Sequence, residues 1–527
     1  MTRVTFEGKR YPLREGETVL DALVRGGASV GFSCRKGSCH NCLLRASEGD
    51  PGLESVQALR TDMRERGYFL PCRSRPGGDL LVQRADLSEL YVRARVAERA
   101  ELSGRVVRLR LEPERSVAWR AGQFVNVRRE DGLTRSYSLA SVPEVDYFME
   151  LHVERTPGGA MSTWLCDTLC EGDELEVQGP HGDCFYPEDL ADRSILLVGT
   201  GTGLAPLMGL AKDALHRGHR GPVELFHGAS DAEGLYETEA LRALAAAHPG
   251  LRYVPCVSGS DVPAGVERGR VVDRAFEVDR KGWLVFLCGS PEVVQAARER
   301  AVAAGARRAE IHADPFESAQ PFEPNDSRKI ACIEPDPELW AALRHGAGLK
   351  EILTDFYGRV YEDPRISPFF HLHAVTKDRA IDKQYEFLRD LFTGQRSFFG
   401  LRPFNAHHWM VISDELFDYR EALFDECLRR YGLPEHLHRR WAALHEQFRR
   451  EIVKSAPRGL IVDGVERALA AWEELVLSIG SVCDGCSDEM PEGARGRVHQ
   501  LTGKLYCARC AARAVGSSAF PSAPPPA

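Results

Sequence analysis

Residues 194–206 read Ser-Ile-Leu-Leu-Val-Gly-Thr-Gly-Thr-Gly-Leu-Ala-Pro, and this stretch decides the fold of the middle of the chain. Ser194 to Val198 is a short apolar run, the pattern of a buried strand. It leads directly into Gly199-Thr200-Gly201-Thr202-Gly203-Leu204-Ala205-Pro206. A glycine-rich turn between a strand and a helix lets main chain approach a pyrophosphate closely, which bulkier residues would prevent. The turn departs from the usual dinucleotide fingerprint in having Pro206 where a late glycine would stand. A second strand-like run, Trp283 to Leu287, precedes Cys288-Gly289-Ser290-Pro291. Strand and helix patterns alternate through residues 188–314, which predicts an α/β nucleotide-binding domain. After the strand Val223 to His227 come Gly228-Ala229-Ser230-Asp231. No arginine stands there for a 2'-phosphate and Asp231 would repel one, which predicts NADH over NADPH.

Upstream, residues 90–187 are rich in strands. Arg135-Ser136-Tyr137-Ser138 ends one strand, and Gly158-Gly159-Ala160-Met161-Ser162-Thr163 follows another. A helix beginning near Ser162 would offer unpaired N–H groups and a positive dipole end to phosphate. In residues 1–86, Cys34, Cys39, Cys42 and Cys72 are separated by four, two and twenty-nine residues. That is the plant-type spacing for a 2Fe-2S cluster, in which a tight loop supplies three thiolates and a distant cysteine closes the site. Arg35, Lys36, Gly37 and Ser38 would turn main-chain amides toward the sulfurs. Inert or zinc-binding cysteines are the alternative, but zinc sites pair cysteines at shorter, more regular spacing.

On these residues, segment 1–86 resembles a plant-type ferredoxin of β-grasp fold, and segments 90–187 and 188–314 resemble the ferredoxin-NADP reductase superfamily. The resemblance implies a β-barrel that binds FAD. In it Tyr137 packs on the isoalloxazine, Ser138 hydrogen-bonds near the reactive nitrogen, and Arg135 neutralises the pyrophosphate beside Gly158, Gly159, Met161, Ser162 and Thr163. NAD(H) would lie on Gly199, Thr200, Gly201, Thr202, Gly203 and Pro206, with Cys288, Gly289, Ser290 and Pro291 against the nicotinamide. The order of segments is similar to single-chain reductases that serve bacterial aromatic-ring dioxygenases and multicomponent monooxygenases. Hydride delivers two electrons at once whereas iron-sulfur and haem accept one, so a flavin between them splits the pair.

Residues 315–336 read as a linker, because prolines and acidic residues oppose continuous secondary structure. Beyond them apolar residues follow helical spacing, with Leu437, Trp441, Leu444, Phe448 and Ile452 on one face. Within 337–456, four pieces resemble a truncated globin of all-α, 2-on-2 fold. They are Phe356-Tyr357, the run from Glu362 to Phe370, Lys383-Gln384-Tyr385-Glu386-Phe387, and Ala406-His407-His408 with Ile412 and Phe417. The resemblance implies haem b with His407 as iron ligand, His408 being the alternative one residue out of phase, and Tyr357 and Gln384 facing the bound gas. Taken singly, a histidine or tyrosine among helices is more often a satisfied core residue. His345, His371 and His373 read as surface residues.

A linker helix is expected at 457–480, then a module at 481–513 in which Cys483-Asp484-Gly485-Cys486 and Cys507-Ala508-Arg509-Cys510 form two knuckles. Four thiolates on two tight turns give closed tetrahedral Zn2+ coordination, a zinc ribbon or knuckle of the structural kind. A thioredoxin-like pair would need only one such motif. His499 is a spare ligand candidate. Residues 514–527 have the composition of a disordered tail.

The chain of 527 residues is too long for one core, so three to five domains are expected. Its net charge of −9 argues against nucleic acid as a partner, and no apolar run is long enough to span a membrane. Eight of its fifteen cysteines fall in two compact groups, as in a reducing compartment, which predicts a cytoplasmic protein. The leading functional expectation is NADH-dependent reduction of FAD, the 2Fe-2S cluster and then the chain's own globin, with O2 and nitric oxide as substrates of a nitric oxide dioxygenase. Ser138 and Cys288 would act at the flavin, Tyr357 and Gln384 at the haem. A second expectation sends the electrons to a separate oxygenase docked through the zinc module, with the globin as accessory. A third, haem sensing, lacks an output domain.

Overall fold

The structure is a computed structural model that describes residues 2–14, 17–32, 37, 39–57, 59, 61–86, 90–187, 190–316, 326–371, 376–395, 398, 401–454, 459–462, 465–467, 472–477, 481–483, 486, 488–499 and 504–511. Two compact units divide it: Met1–Arg14, Thr18–Phe322 and Arg439–Gln447 form one, and Glu15–Glu17, Glu323–His438 and Phe448–Ala527 the other.

In the first unit, strands β1 (Arg3–Phe6), β2 (Lys9–Pro12), β3 (Leu44–Glu48), β4 (Tyr68–Phe69) and β5 (Leu80–Arg84) form a sheet of order β2-β1-β5-β3-β4. β1 and β5 run parallel while the outer pairs are antiparallel. Thr18 caps the helix Val19–Arg25 by accepting from the Asp21 amide at 3.2 Å. The helix buries Val19, Ala22 and Leu23 with Val4, Phe6 and Phe69 of the sheet.

β6 (Val92–Glu101), β7 (Val106–Pro113), β8 (Phe124–Arg128), β9 (Thr134–Ser138), β10 (Met149–Glu154) and β11 (Glu174–His181) follow in the order β10-β7-β6-β11-β8-β9. A bridge between Leu139 and Leu151 links the ends of the sheet and closes it into a barrel. Alternating residues such as Val125, Val127, Leu109 and Leu111 fill the interior.

The third layer is a sheet of β12 (Ile195–Thr200), β13 (Val223–Ala229), β14 (Leu251–Val257), β15 (Glu267–Arg268), β16 (Leu284–Gly289) and β17 (Ile311–Pro315), all parallel, ordered β15-β14-β13-β12-β16-β17. The two middle strands, β12 and β16, are nearly all apolar, as strands covered on both faces are. The strand order reverses at β12, and the crevice beyond the carboxyl ends of such strands is where open α/β sheets bind ligands.

Between Asp326 and His438, and again at Arg449–Ile452, the described elements of the second unit are helices. The helix Ala347–Val360 packs against Lys377–Thr393 and Asp414–Tyr431. Ser413 caps the last of these, with Asp414 and Glu415 in its first turn and Arg429 and Arg430 in its last, each sign opposing the local dipole end. Among the described residues no helix is long and apolar enough to cross a membrane.

Three expectations need correction. The linker helix at 457–480 is not formed: β18 (Leu460–Val462), β19 (Val465–Arg467) and β20 (Trp472–Val476) occupy the described part. Val462 pairs with Val465, and β18 and β19 run antiparallel. β20 pairs with Arg495–His499, and that pairing overrides the helix propensity of its Glu and Leu residues. The linker at 315–336 begins within β17, where Pro315 pairs with Gly289, and contains a helix, Asp326–Cys332; residues 317–325 lie outside the described ones. The apolar face from Leu437 to Ile452 is interrupted, the helix Glu435–Glu446 ending before a separate turn, Arg449–Ile452.

Candidate functional site

Gly199 and Thr200 end β12, Gly201–Gly203 form a 3-10 turn, and the helix Leu204–His216 begins at once, with Pro206 in its first turn where no intrahelical donor is lost. Gly199 lies beside Cys288 in register, so both expected nucleotide loops emerge at the reversal of strand order. A Cβ on Gly203 would stand 2.5 Å from the Cys288 carbonyl oxygen, and Gly289, at φ +135°, lies against Thr200. These glycines let the two loops pack against each other. Ser290 caps the helix Pro291–Ala303, with Pro291 at its first position. Cys288 is buried beside Cys184, and burial pushes its thiol well above the usual range.

In the barrel, Tyr137 is half-buried and Ser138 nearly fully buried on β9, while Arg135 is exposed. Burial pushes the Tyr137 phenol up. Gly159 caps a short helix, Ala160–Thr163, which starts two residues before the expected Ser162. Ser162 donates to the Gly159 carbonyl at 3.1 Å and accepts from the Thr156 amide at 3.2 Å, closing the glycine loop. Met161 is buried there, whereas Gly158 and Thr163 are exposed. Arg129, near this loop, reaches the Ala160 carbonyl at 3.4 Å and adds a second cation beside the one expected at Arg135.

Two further residues carry no signal in the sequence around their partners. Asp314 accepts from the Ser138 hydroxyl at 3.3 Å across 176 residues of chain, and burial pushes its carboxyl up to about 7. Arg105, from the turn before β7, grips Asp231 with both terminal nitrogens at 3.1 and 3.0 Å. Asp231 is thus paired with a cation from the barrel.

Of the cluster ligands, Cys39, Cys42 and Cys72 are buried, at 5%, 3% and 3% exposure, and Cys34 lies outside the described residues. A hydrogen bond to Cys72 and burial hold the Cys42 thiol well above its usual range. Next to Cys42, the Asn41 amide is buried without a hydrogen-bond partner. Cluster sulfur is an acceptor for such a donor, so the residues present fit a 2Fe-2S group.

In the globin segment Tyr357 is buried among the rings of Phe356, Tyr361 and Phe370. Gln384 is half-buried on the helix that packs against Tyr357's own. Nδ1 of His407 lies 2.9 Å from the Pro403 carbonyl and Nδ1 of His408 2.6 Å from that of Asn405. Both rings therefore have the geometry of Nδ1–H donors, the tautomer in which Nε2 is the basic nitrogen. His408 is 3% exposed and His407 half-buried. His345 is exposed, as expected, while the His371 side chain and His373 are outside the described residues.

Cys483, Cys486, Cys507 and Cys510 have their sulfurs within 4.8 Å of one another. Cys486 and Cys507 sulfurs are 3.8 Å apart, and the Cys507 amide donates to Cys483 sulfur at 3.2 Å. Tetrahedral zinc with Zn–S bonds of about 2.3 Å separates its sulfurs by about 3.8 Å, far beyond the roughly 2.0 Å of a disulfide. The quartet fits zinc. The His499 side chain is outside the described residues.

Comparisons with known proteins agree with this layout. The family model for a 2Fe-2S iron-sulfur cluster binding domain matches residues 4–77, the oxidoreductase FAD-binding domain 93–186, the oxidoreductase NAD-binding domain 197–299, and bacterial-like globin 339–454. The reductase subunit of an aromatic O-demethylase from Amycolatopsis sp. is 37% identical over 308 residues, which cover 56% of this chain and 92% of that protein. Reductase component 1 of terephthalate 1,2-dioxygenase from Comamonas sp. is 31% identical, covering 58% and 94%. The solved Amycolatopsis cytochrome P450 reductase GcoB matches at 34% identity and a TM-score of 0.45, over 61% of this chain and all of that one. The chain belongs to the family of 2Fe-2S, FAD- and NAD-binding reductases that includes reductase components of oxygenase systems, and it joins to that reductase a bacterial-like globin.

Proposed function

We propose that the chain is an NADH-dependent reductase that supplies its own globin and so converts nitric oxide and dioxygen to nitrate. The balance closes: the two electrons of NADH, two molecules of nitric oxide and two of dioxygen give two nitrates, NAD+ and one proton. The observation that carries the reading is the fusion itself, a complete NAD, FAD and 2Fe-2S reductase on one polypeptide with a globin.

Haem, when bound, supplies the iron at which the diatomic gases react. The chain's residues bind and orient. His407, with its half-buried ring and Nδ1 on a main-chain carbonyl, is the iron ligand by register with the globin resemblance, and His408, one residue on, is the alternative. Burial pushes the Tyr357 phenol up to about 12, so at neutral pH it keeps its proton and can donate. Gln384 adds an amide donor on the neighbouring helix. At the reductase, burial lets the Asp314 carboxyl hold a proton near neutrality while its Oδ2 accepts from the Ser138 hydroxyl. Asp231, steadied by Arg105, offers a carboxylate to ribose hydroxyls and favours NADH.

Anaerobic mixing of the holoenzyme with NADH tests this by absorbance. The haem bands should follow the flavin and cluster bands into the reduced state. In air, nitric oxide should then be consumed at two molecules for each NADH, and His407→Ala should abolish haem binding and that consumption. Haem bands that stay oxidised while flavin and cluster are reduced would reject the reading.

The relatives, named as reductase components of oxygenases, favour a second reading in which electrons pass to a separate oxygenase and the globin is accessory. A chain lacking residues 330–527 that still drives such an oxygenase at the full rate would favour it.

A further inference from the structure

Asn126 lies on β8, fully buried and hydrogen-bonded on both sides of its side-chain amide. Its Nδ2 donates to the Cys39 carbonyl at 2.5 Å and to Gln178 Oε1 at 2.7 Å, and its Oδ1 accepts from the Ser136 hydroxyl at 2.8 Å. The three partners come from three places. Cys39 is a cluster ligand, Gln178 is on β11, and Ser136 stands between Arg135 and Tyr137 in the flavin motif. β8 and β9 pair so that Asn126 faces Ser136 and Val125 faces Tyr137. His40, next to Cys39 and at φ +55°, brings its ring to 4.5 Å from that of His181 at the end of β11. A non-glycine residue in that left-handed conformation is held there by its surroundings.

A buried amide adds little net stability over an apolar residue of the same shape, and it costs heavily when its partners are removed. What a fully satisfied buried network provides is a unique geometry. Here that geometry is the placement of the cluster loop against the strand pair that carries the flavin residues. We propose that Asn126 is a positioning residue for electron passage from flavin to cluster, its amide tying the main chain of Cys39 to β9 through Ser136. One electron crosses in that step, with no bond made or broken, and its rate falls steeply as the two groups separate. The inference rests on the reductase assignment and is independent of the globin.

The test uses holoenzyme carrying Asn126→Ala or Asn126→Asp, mixed anaerobically with NADH while flavin and cluster absorbance are followed separately. Amide hydrogen exchange of residues 39–43 is measured on the same preparations. Asn126→Asp keeps the volume while exchanging the amide donors for a carboxyl group, and Asn126→Ala removes donors and packing together without adding a charge. Flavin reduction should stay within about twofold of the parent, the flavin-to-cluster phase should slow by about tenfold or more, and residues 39–43 should exchange faster. Equal slowing of both phases would show a general structural role and overturn the proposal. So would an unchanged second phase in variants that keep the cluster's electron paramagnetic resonance signal. Should both variants lose the cluster, Ser136→Ala and Gln178→Leu decide, since they loosen the amide without removing its bond to Cys39. Slowing of the second phase alone supports the proposal, and no slowing overturns it.

Discussion

The chain carries two cysteine quartets, and they are built in opposite ways. At the amino terminus Cys42 and Cys72 belong to a hydrophobic cluster with Leu20, Leu59, Met63, Tyr68 and Leu70, so the thiols sit inside a core that would exist without them. At the carboxy terminus Cys483 is fully buried, and Cys486, Cys507 and Cys510 are half-buried, Cys507 at the end of the short strand Lys504–Cys507. Few apolar residues, Met490 and Ala511 among the described ones, back them up. A domain too small to bury a core needs a metal to hold it. A redox centre needs the reverse: a finished fold that keeps its sulfurs dry and sets their hydrogen bonds. One quartet is built to tune a metal, and the other, with zinc bound, would be folded by it.

The largest expected effect is at the first quartet. Losses from outer-shell changes around a metal run to about a hundredfold, and removing a ligand should do at least as much. Cys72→Ser is therefore expected to abolish the cluster's visible and paramagnetic signals and to cut electron delivery beyond the flavin by about a hundredfold or more. Flavin reduction by NADH should persist, because the nucleotide loops do not depend on Cys72. Circular dichroism should show the amino-terminal sheet still folded. A variant that unfolds that sheet would erase the contrast between the quartets.

The second effect concerns pH at the other quartet. In the metal-free fold a hydrogen bond to Cys486 and burial push the Cys510 thiol up to about 12. A thiol so raised is protonated at neutral pH, and zinc binds thiolate, so binding must release protons. Zinc affinity should therefore fall as pH falls from 8 to 6, by about tenfold per pH unit for each thiol that must ionise. The folded-state sign agrees: raised thiol values favour the protonated, metal-free module at low pH, and that advantage is lost only as pH rises toward 12. Competition titrations with a coloured chelator at several pH values measure the slope. A flat profile would mean that the thiols are already ionised before the metal arrives.

These quartets were also the most legible features of the sequence, because coordination geometry restricts spacing and spacing is written in the chain. The strand and glycine-turn signal at residues 194–206 was equally plain, since a parallel sheet makes its strands apolar end to end. What the sequence hid was contact between distant segments. Asp314 meets Ser138 and Arg105 meets Asp231 only after the nucleotide domain has packed on the barrel, and Asn126 meets Cys39 only after the ferredoxin sheet has docked. Part of each glycine motif also serves the fold: Gly203 and Gly289 permit loop packing, and Ser290 with Pro291 starts a helix. Residues 457–480 misled for another reason. Their Ala, Glu and Leu favour helix locally, but the strand Arg495–His499 offers β20 a partner, and pairing outweighs propensity.

The smallest effect is the most pointed, because it asks whether the second quartet matters to electron flow at all. Nothing in the arrangement of Cys483, Cys486, Cys507 and Cys510 suits electron transfer: zinc has one oxidation state, and four thiolates leave it no open position. Cys507→Ser removes a sulfur that lies 3.8 Å from Cys486 and an amide contact with Cys483. The module should lose its metal and become sensitive to protease within residues 481–511. NADH oxidation and cluster reduction should nonetheless stay within about twofold of the parent, the scatter of a substitution remote from the chemistry. Limited proteolysis followed by mass spectrometry reads the first consequence and stopped-flow absorbance the second. If cluster reduction fell with the zinc, the carboxy-terminal module would be part of the electron path's architecture, and the division between a metal that is tuned and a metal that folds would fail.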